Sequence, residues 1–369
     1  AGLSPEAFRR RNFIRPGQVS AVGQTMRDQV DMGAILDRAL EMSDYHQKRA
    51  RFAAGNGRGR IRRGIGFATF MHGAGFTGSG EDHLASIVTV EATAEGLVRV
   101  LTSSTEIGQG TNTILSQIAA DALGARIDDV EIAQPDTSLV PNSGPTVASR
   151  TCMVVGKLVE RACRDLRGVL VGGGYLDGGA SVRSACRAAV AERGPLRASA
   201  RYEPREGARW DDEKYEGDAY GSYAWAAYVA EVSVDLVTCE IRLDYFVAVQ
   251  EVGRVINPVL ARGQIEGGVA QGIGWALFED VVWREGRMAN AQMTNYIMPT
   301  SVDLPPIRVH FEEVPYEGGP GGAKGIGELP MDGPAPAIAN AIAHATGVDV
   351  RRVPFTPEML SEQLEAARV

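Results

Sequence analysis

A pattern that occurs twice limits the folds open to this chain. Alternating stretches at 86–91 and 97–102 flank a Thr93-Ala94-Glu95-Gly96 turn and predict a β-hairpin; the glycine-bearing Gly108-Gln109-Gly110 and a helix over 112–123, closed by Gly124, follow. Stretches 227–234 and 240–249 then predict a second hairpin, followed by Gly253 and a helix over 264–278. Helices over 151–169 and 181–192 lie between the two copies. The repeat is far too irregular for a solenoid. It predicts an α+β fold whose body is two similar hairpin-plus-helix units.

At 369 residues and 44% hydrophobic content the chain exceeds one ordinary domain and can bury two cores. Three segments are expected: a helical arm at 1–60, a first unit at 61–200 and a second at 201–369. In the arm, Ser4 and Pro5 start a helix that ends near Asn12, and Met32, Ile35, Leu36, Ala39 and Leu40 predict another over 31–47. Residues 51–63, basic and glycine-containing, read as a connection into a strand at 64–70.

A net charge of −8 leaves no basic face to replace counterions along a phosphate backbone, which argues against nucleic acid. The four cysteines, Cys152, Cys163, Cys186 and Cys239, have no metal-ligand spacing, so neither zinc nor an iron–sulfur cluster is expected on this chain. No apolar run is long enough to span a bilayer. Arg9-Arg10-Arg11-Asn12-Phe13 has the look of a twin-arginine signal, but Arg15-Pro16-Gly17-Gln18 stands where an apolar region is required. Export is rejected, and a cytoplasmic protein with reduced thiols is expected.

Four stretches carry chemistry. Gly73-Ala74-Gly75-Phe76-Thr77-Gly78 matches a dinucleotide-binding fingerprint, but a strand-like segment follows where a helix is needed. His72 and Phe76 are, on their own, read as a satisfied histidine and a core aromatic. The segment from Thr105 to Asn112 runs into a helix; it is either a capped glycine turn or an anion site built from free amides and the helix dipole. The segment from Pro141 to Thr151 is either a capping loop or a set of hydroxyls for phosphate. Last, the glycine-rich run GGPGGAKGIGELP, residues 318–330, contains one acidic residue, Glu328. Glycines let backbone approach a ligand closely, so Glu328 is either a solvated loop residue or a general base.

Taken together, TEIGQGTNT, VPNSGPTVASRT, GQIEGGVAQGIG and GGAKGIGELP, in that order and at domain-scale separations, resemble the molybdopterin-binding subunit of the molybdenum hydroxylases, the xanthine dehydrogenase and aldehyde oxidase group. The resemblance runs over nearly the whole chain. It implies that Glu328 is the active-site base and that Phe76 and Thr77 contact substrate. It also implies cofactor contacts at Ile107, Gly108, Gln109, Val147, Ala148, Ser149, Thr151, Gln271, Lys324 and Gly325. No direct protein ligand to the metal is implied, because the pterin dithiolene holds molybdenum. The reaction implied is hydroxylation of an electron-poor carbon of an N-heteroaromatic ring, of purine or nicotinate type, with oxygen from water. In it Glu328 deprotonates a metal-bound hydroxide, which requires an ionised carboxylate in a site that water does not flood.

Family chains with this domain are roughly twice as long, and the half that precedes LSPEAFRRRN is not represented in this sequence. The resemblance therefore implies an arrangement like the medium subunit of nicotinate dehydrogenase. The expected partners are a second molybdopterin subunit, an iron–sulfur subunit and a flavin (FAD) subunit, with a cofactor in the cytosine dinucleotide form. A non-catalytic scaffold subunit and, more remotely, a nicotinamide-dependent oxidoreductase stay open as alternatives.

Overall fold

The computed structural model describes residues 2–57 and 59–367. Helices α1 (Pro5–Asn12), α2 (Met32–Met42) and α3 (Tyr45–Gly55) precede strand β1 (Ile61–Gly73). A short helix α4 (Gly80–Leu84) leads to β2 (Ile87–Ala92), β3 (Val98–Leu101), α5 (Thr111–Leu123), β4 (Val130–Ile132), α6 (Gly156–Gly172), α7 (Val182–Arg193) and β5 (Leu196–Arg201). The two-residue strands β6 (Trp210–Asp211) and β7 (Glu216–Gly217) are followed by β8 (Tyr223–Asp235), β9 (Ile241–Glu251) and α8 (Pro258–Leu277). The chain closes with β10 (Trp283–Arg284), β11 (Arg287–Met288), β12 (Ile307–Glu312), α9 (Leu329–Asp332), α10 (Pro334–Thr346) and α11 (Pro357–Ala366).

Two four-stranded sheets, ordered β5-β2-β3-β4 and β1-β8-β9-β12, share one topology. In each, an antiparallel hairpin (β2–β3, β8–β9) is followed by a helix (α5, α8) and by a strand that returns parallel to the second hairpin strand (β4, β12). An antiparallel strand closes the other edge: β5 on β2, β1 on β8. The repeat visible in the sequence is thus a repeat of topology.

The first sheet buries one face only. Val88, Val90 and Ala92 alternate inward with Val98 and Val100 and meet Leu115, Leu158, Val159 and Leu166 of α5 and α6. Thr89 and Glu91 point the other way, to Ser199 and to Arg99 and Arg197. The second sheet is covered on both faces, which is why β8, YAWAAYVAEVSVD, is buried along nearly its whole length. Tyr223, Trp225, Ala227 and Val229 face α2 and α3, whereas Ala226, Tyr228, Ala230 and Val232 face α8 and α10. Ile338 and Ile342 of α10 are fully buried there, each stabilising by about 1.5–3 kcal/mol. Glycine makes this approach possible: a Cβ at Gly64 or Gly66 of β1 would overlap the backbone of α10 at Ala341.

Several boundaries differ from the sequence expectation. The helix over 31–47 is two helices, because Ser43 folds its hydroxyl back onto Ala39 O (2.8 Å) and Asp44 turns left-handed at φ 53°. Residues 51–55, expected in a connection, complete α3. The helix expected from 151 opens with a π turn, Thr151–Val155. Strand β1 falls in the 61–200 segment by sequence but belongs to the second sheet, its register running from Ile61 opposite Asp235 to Gly73 opposite Tyr223. The arm at 1–60 packs α2 on that same sheet.

Candidate active site

The cleft lies where the two units meet. The loop after β3, with Ile107, Gln109 and Thr111, faces its topological counterpart after β9, with Val252, Arg254, Ile256 and Asn257; a cavity of about 390 Å³ lies between them. Thr146–Cys152 and the 323–328 segment supply the remaining wall. Asn257 ties the start of α8 to the middle of α5, capping α8 through Leu260 N (3.1 Å) and donating its amide to Gln117 (3.0 Å).

The expected residues divide by position. Ile107, Gln109, Val147, Ala148, Ser149, Thr151, Lys324 and Glu328 all line the cleft. Phe76, Thr77, Gly108, Gln271 and Gly325 do not. Phe76 packs on Gly80, and the Thr77 hydroxyl is committed to Tyr220 OH at 2.7 Å; their loop meets the cleft wall at Gly75, whose N–H donates to Ala148 O (2.9 Å). On α8 it is Gln264 that lines the cleft, whereas Gln271, two turns on, is exposed. Between them Gly268 lets α8 settle on Pro330.

Two readings change. At the start of α5 the Glu106 carboxylate already occupies the amides of Gly108 (2.8 Å), Gly110 (3.0 Å) and Asn112 (3.0 Å). Burial opposes ionisation of Glu106, but these backbone donors outweigh it and hold its carboxyl below the usual range. Gln109 is likewise turned inward, accepting from Ile107 N (2.7 Å) and donating to Thr105 O and the Thr111 hydroxyl. Lys324, implied as a cofactor contact, is committed within the fold: its ammonium is buried, 2.7 Å from Glu251 Oε2 and 3.0 Å from Tyr223 O. Burial pushes the Glu251 carboxyl up and the Lys324 charge opposes it.

The 146–152 wall is held from behind. Arg150 is fully buried, donating twice to Glu81 (2.9 and 2.8 Å) and also to Ser86 Oγ and the Ser143 carbonyl. Just ahead of this anchor Ala148 and Ser149 adopt consecutive left-handed conformations, φ 54° and 52°, which non-glycine residues rarely take. Their amides have no acceptor among the described residues. Sequence reasoning missed Arg254 as well, an exposed guanidinium on the cleft wall with no carboxylate partner among the described residues.

Glu328 sits at the opening of α9. Ser149 clamps it from both sides, its Oγ accepting from Glu328 N (2.9 Å) and donating to Glu328 Oε2 (3.1 Å). Ser149, implied as a cofactor contact in a segment read as either a capping loop or hydroxyls for phosphate, here holds this carboxylate with its hydroxyl. His72, from β1, approaches the same Oε2 at 3.4 Å, and Oε1 has no partner among the described residues. The glycines do what close approach requires: a Cβ at Gly325 would overlap the Ser149 carbonyl oxygen. Gly325→Ala is therefore expected to lower stability by about 1–3 kcal/mol and to displace the Glu328 loop, read as a lower Tm together with altered hydrogen exchange at 325–329.

A cleft between two repeated α+β units, walled by aliphatic side chains and by backbone amides without acceptors among the described residues, suits a large ligand with both apolar and polar faces. The comparisons agree with that shape. Residues 38–305 match the model of a molybdopterin cofactor-binding domain. The chain is similar to the putative xanthine dehydrogenase molybdenum-binding subunit XdhA of Escherichia coli (strain K12), 27% identical over 99% of this chain and 50% of that one. Among solved structures it is similar to quinoline 2-oxidoreductase from Pseudomonas putida 86 (TM-score 0.85, 29% identity, 99% of this chain and 50% of that one). It is also similar to aldehyde oxidoreductase from Desulfovibrio gigas (TM-score 0.87, 29% identity, 99% and 39%). The chain belongs to the molybdopterin-binding family of the molybdenum hydroxylases. It spans about half the length of the first curated relatives it matches.

Proposed function

We propose that this chain forms one wall of the active site of a molybdenum hydroxylase that hydroxylates an electron-poor carbon of an N-heteroaromatic substrate, with Glu328 as its general base. The observation that carries this reading is the placement of Glu328. It lines the cleft, its Oε2 is fixed by Ser149, and its Oε1 is left free to take a proton.

The donor set fits a pterin. The amides of Ala148 and Ser149, the side chain of Gln264 and the guanidinium of Arg254 offer donors, while Val147, Ile114, Ile256 and Leu260 offer apolar faces. Arg254 would suit the phosphate of a dinucleotide extension, in keeping with the cytosine dinucleotide form. When bound, the molybdenum group supplies oxygen transfer and accepts the two electrons. This chain orients the substrate side of the cleft, holds the Glu328 carboxylate and accepts a proton at its Oε1. A single described wall leaves the Glu328 side chain 53% exposed, whereas proton transfer gains from a dry site. A second molybdopterin-binding polypeptide, equivalent to the other half of the longer relatives, closes the site in this reading. Iron–sulfur and flavin-bearing partners carry the electrons away. In this reading the complex works in the cytoplasm. Separately, among the described residues no helix is long and apolar enough to cross a membrane.

The test is isolation of the complex through a tag on this chain, with elemental analysis and pterin release. About one molybdenum per chain and bleaching of the electron carriers by an N-heteroaromatic substrate are expected. A molybdenum-free complex, or bleaching by aldehydes alone, overturns the respective part of the reading.

A further inference from the structure

His72 bridges two carboxylates. It is the penultimate residue of β1, and its Nδ1 lies 2.8 Å from Asp332 Oδ2 while its Nε2 lies 3.4 Å from Glu328 Oε2. Asp332 is the last residue of α9, one helical turn after Glu328, so both carboxylates belong to one rigid turn that α10 presses onto the sheet. The imidazole is mostly enclosed, its side chain 29% exposed. In sequence His72 and Glu328 are 256 residues apart, and the packing of α9 and α10 against β1 brings them together.

We propose that His72 is a positioning residue for Glu328: its imidazolium, anchored on Asp332, holds the Glu328 carboxylate in the cleft, and loss of the imidazolium charge releases it. The proposal rests on the reading of Glu328 as the base. When both ring nitrogens carry protons, Nδ1–H donates to Asp332 and Nε2–H donates to Glu328. The neutral ring has one proton for two carboxylates. The shorter contact to Asp332 keeps that proton on Nδ1, and an imidazole lone pair then faces Glu328 Oε2. Glu328 loses its donor, keeps only Ser149, and turns toward solvent.

The surroundings favour the charged form. The hydrogen bond to Asp332 is the largest influence raising the His72 pKa above its ordinary value; burial opposes it, and the charges of Asp332 and Glu328 add to it. The other titratable group facing this cluster is Tyr228 of β8, whose phenol is pushed well above its ordinary range, chiefly by burial and further by Asp332, and so stays neutral. Opposite His72 on β8 is Ala224, and the single titratable residue of α10, His344, bonds Ile65 N at the far end of that helix. Because the folded pKa is raised, the clamp is complete below the ordinary histidine pKa and is lost as pH rises through the raised one.

The test compares pH profiles of kcat/KM for the assembled complex carrying wild type, His72→Gln and Asp332→Asn chains, with molybdenum content measured on each. The wild type is expected to lose activity along an alkaline limb that lies above the ordinary histidine range. His72→Gln is expected to lack that limb and to turn over about 10- to 100-fold more slowly at neutral pH with KM unchanged. Asp332→Asn is expected to move the limb to lower pH, which a merely structural role would not do. Titration of ¹³C-labelled histidine in the full chain is expected to show His72 above the ordinary value and to return it there in Asp332→Asn. An unchanged profile in both variants, with Glu328→Gln inactive, overturns the positioning role and leaves the base intact. An active Glu328→Gln complex overturns the base reading itself.

Discussion

Glu328→Gln is expected to lower kcat/KM of the assembled enzyme by about 10²- to 10⁴-fold, the ordinary contribution of a positioned general base. The amide keeps the size of the side chain and can still accept from the Ser149 hydroxyl and His72, so the loop should stay in place. What disappears is the proton-accepting oxygen left free in the cleft. Molybdenum and pterin content, Tm and complex assembly should match the wild type. That separation matters: a scaffold subunit predicts wild-type turnover from the same variant, and a site that is merely disordered predicts loss of cofactor. Stopped-flow reduction by substrate under anaerobic conditions reads the chemical step without the later electron transfers.

The second large effect concerns Lys324. Removing its charge with Lys324→Met leaves Glu251, fully buried, with only the Gly253 amide for its carboxylate. Breaking a buried pair from one side costs about 3–5 kcal/mol, so chemical denaturation should show a loss of that size. The double variant with Glu251→Gln removes both charges and is expected to recover at least half of it, since a neutral amide can still accept from Gly253 N. If Lys324 instead served a cofactor phosphate with no structural role, Lys324→Met would leave stability unchanged and lower pterin retention. The pair also fixes the start of the segment that carries Glu328 four residues later.

Much of the fold was legible because its signals are local. The Thr93–Gly96 turn and Gly124 after α5 mark their elements by chemistry that acts within a few residues, whereas α8 begins at Pro258, capped by Asn257, six residues ahead of the expected 264. Strand β1 was readable as a strand, but its sheet was not, since pairing with β8 depends on a register across some 150 residues. The break at Ser43-Asp44 was hidden because helical periodicity continues on both sides of it.

The site shows the same division. The residues singled out on the loops before α5 and α6 came from the resemblance of those loops to a family, and all of them but Gly108 line the cleft. Gln264 and Gln271 are seven residues apart on one helix, on nearly the same face, and helical spacing alone cannot choose between them. The commitments of Lys324 to Glu251, Glu106 to its own loop, and His72 to Asp332 and Glu328 are contacts of folded geometry. A lysine beside glycines reads as a ligand contact until its partner is in view, and a histidine read as satisfied does not name the carboxylates that satisfy it.

The most direct test of the account is a structure of the complex purified through this chain, with molybdenum located by its anomalous scattering. The account predicts the metal in the cleft, beside Ser149 and Glu328, with a second polypeptide covering the now half-exposed carboxylate. Molybdenum bound elsewhere, with Glu328 open to solvent, would contradict it.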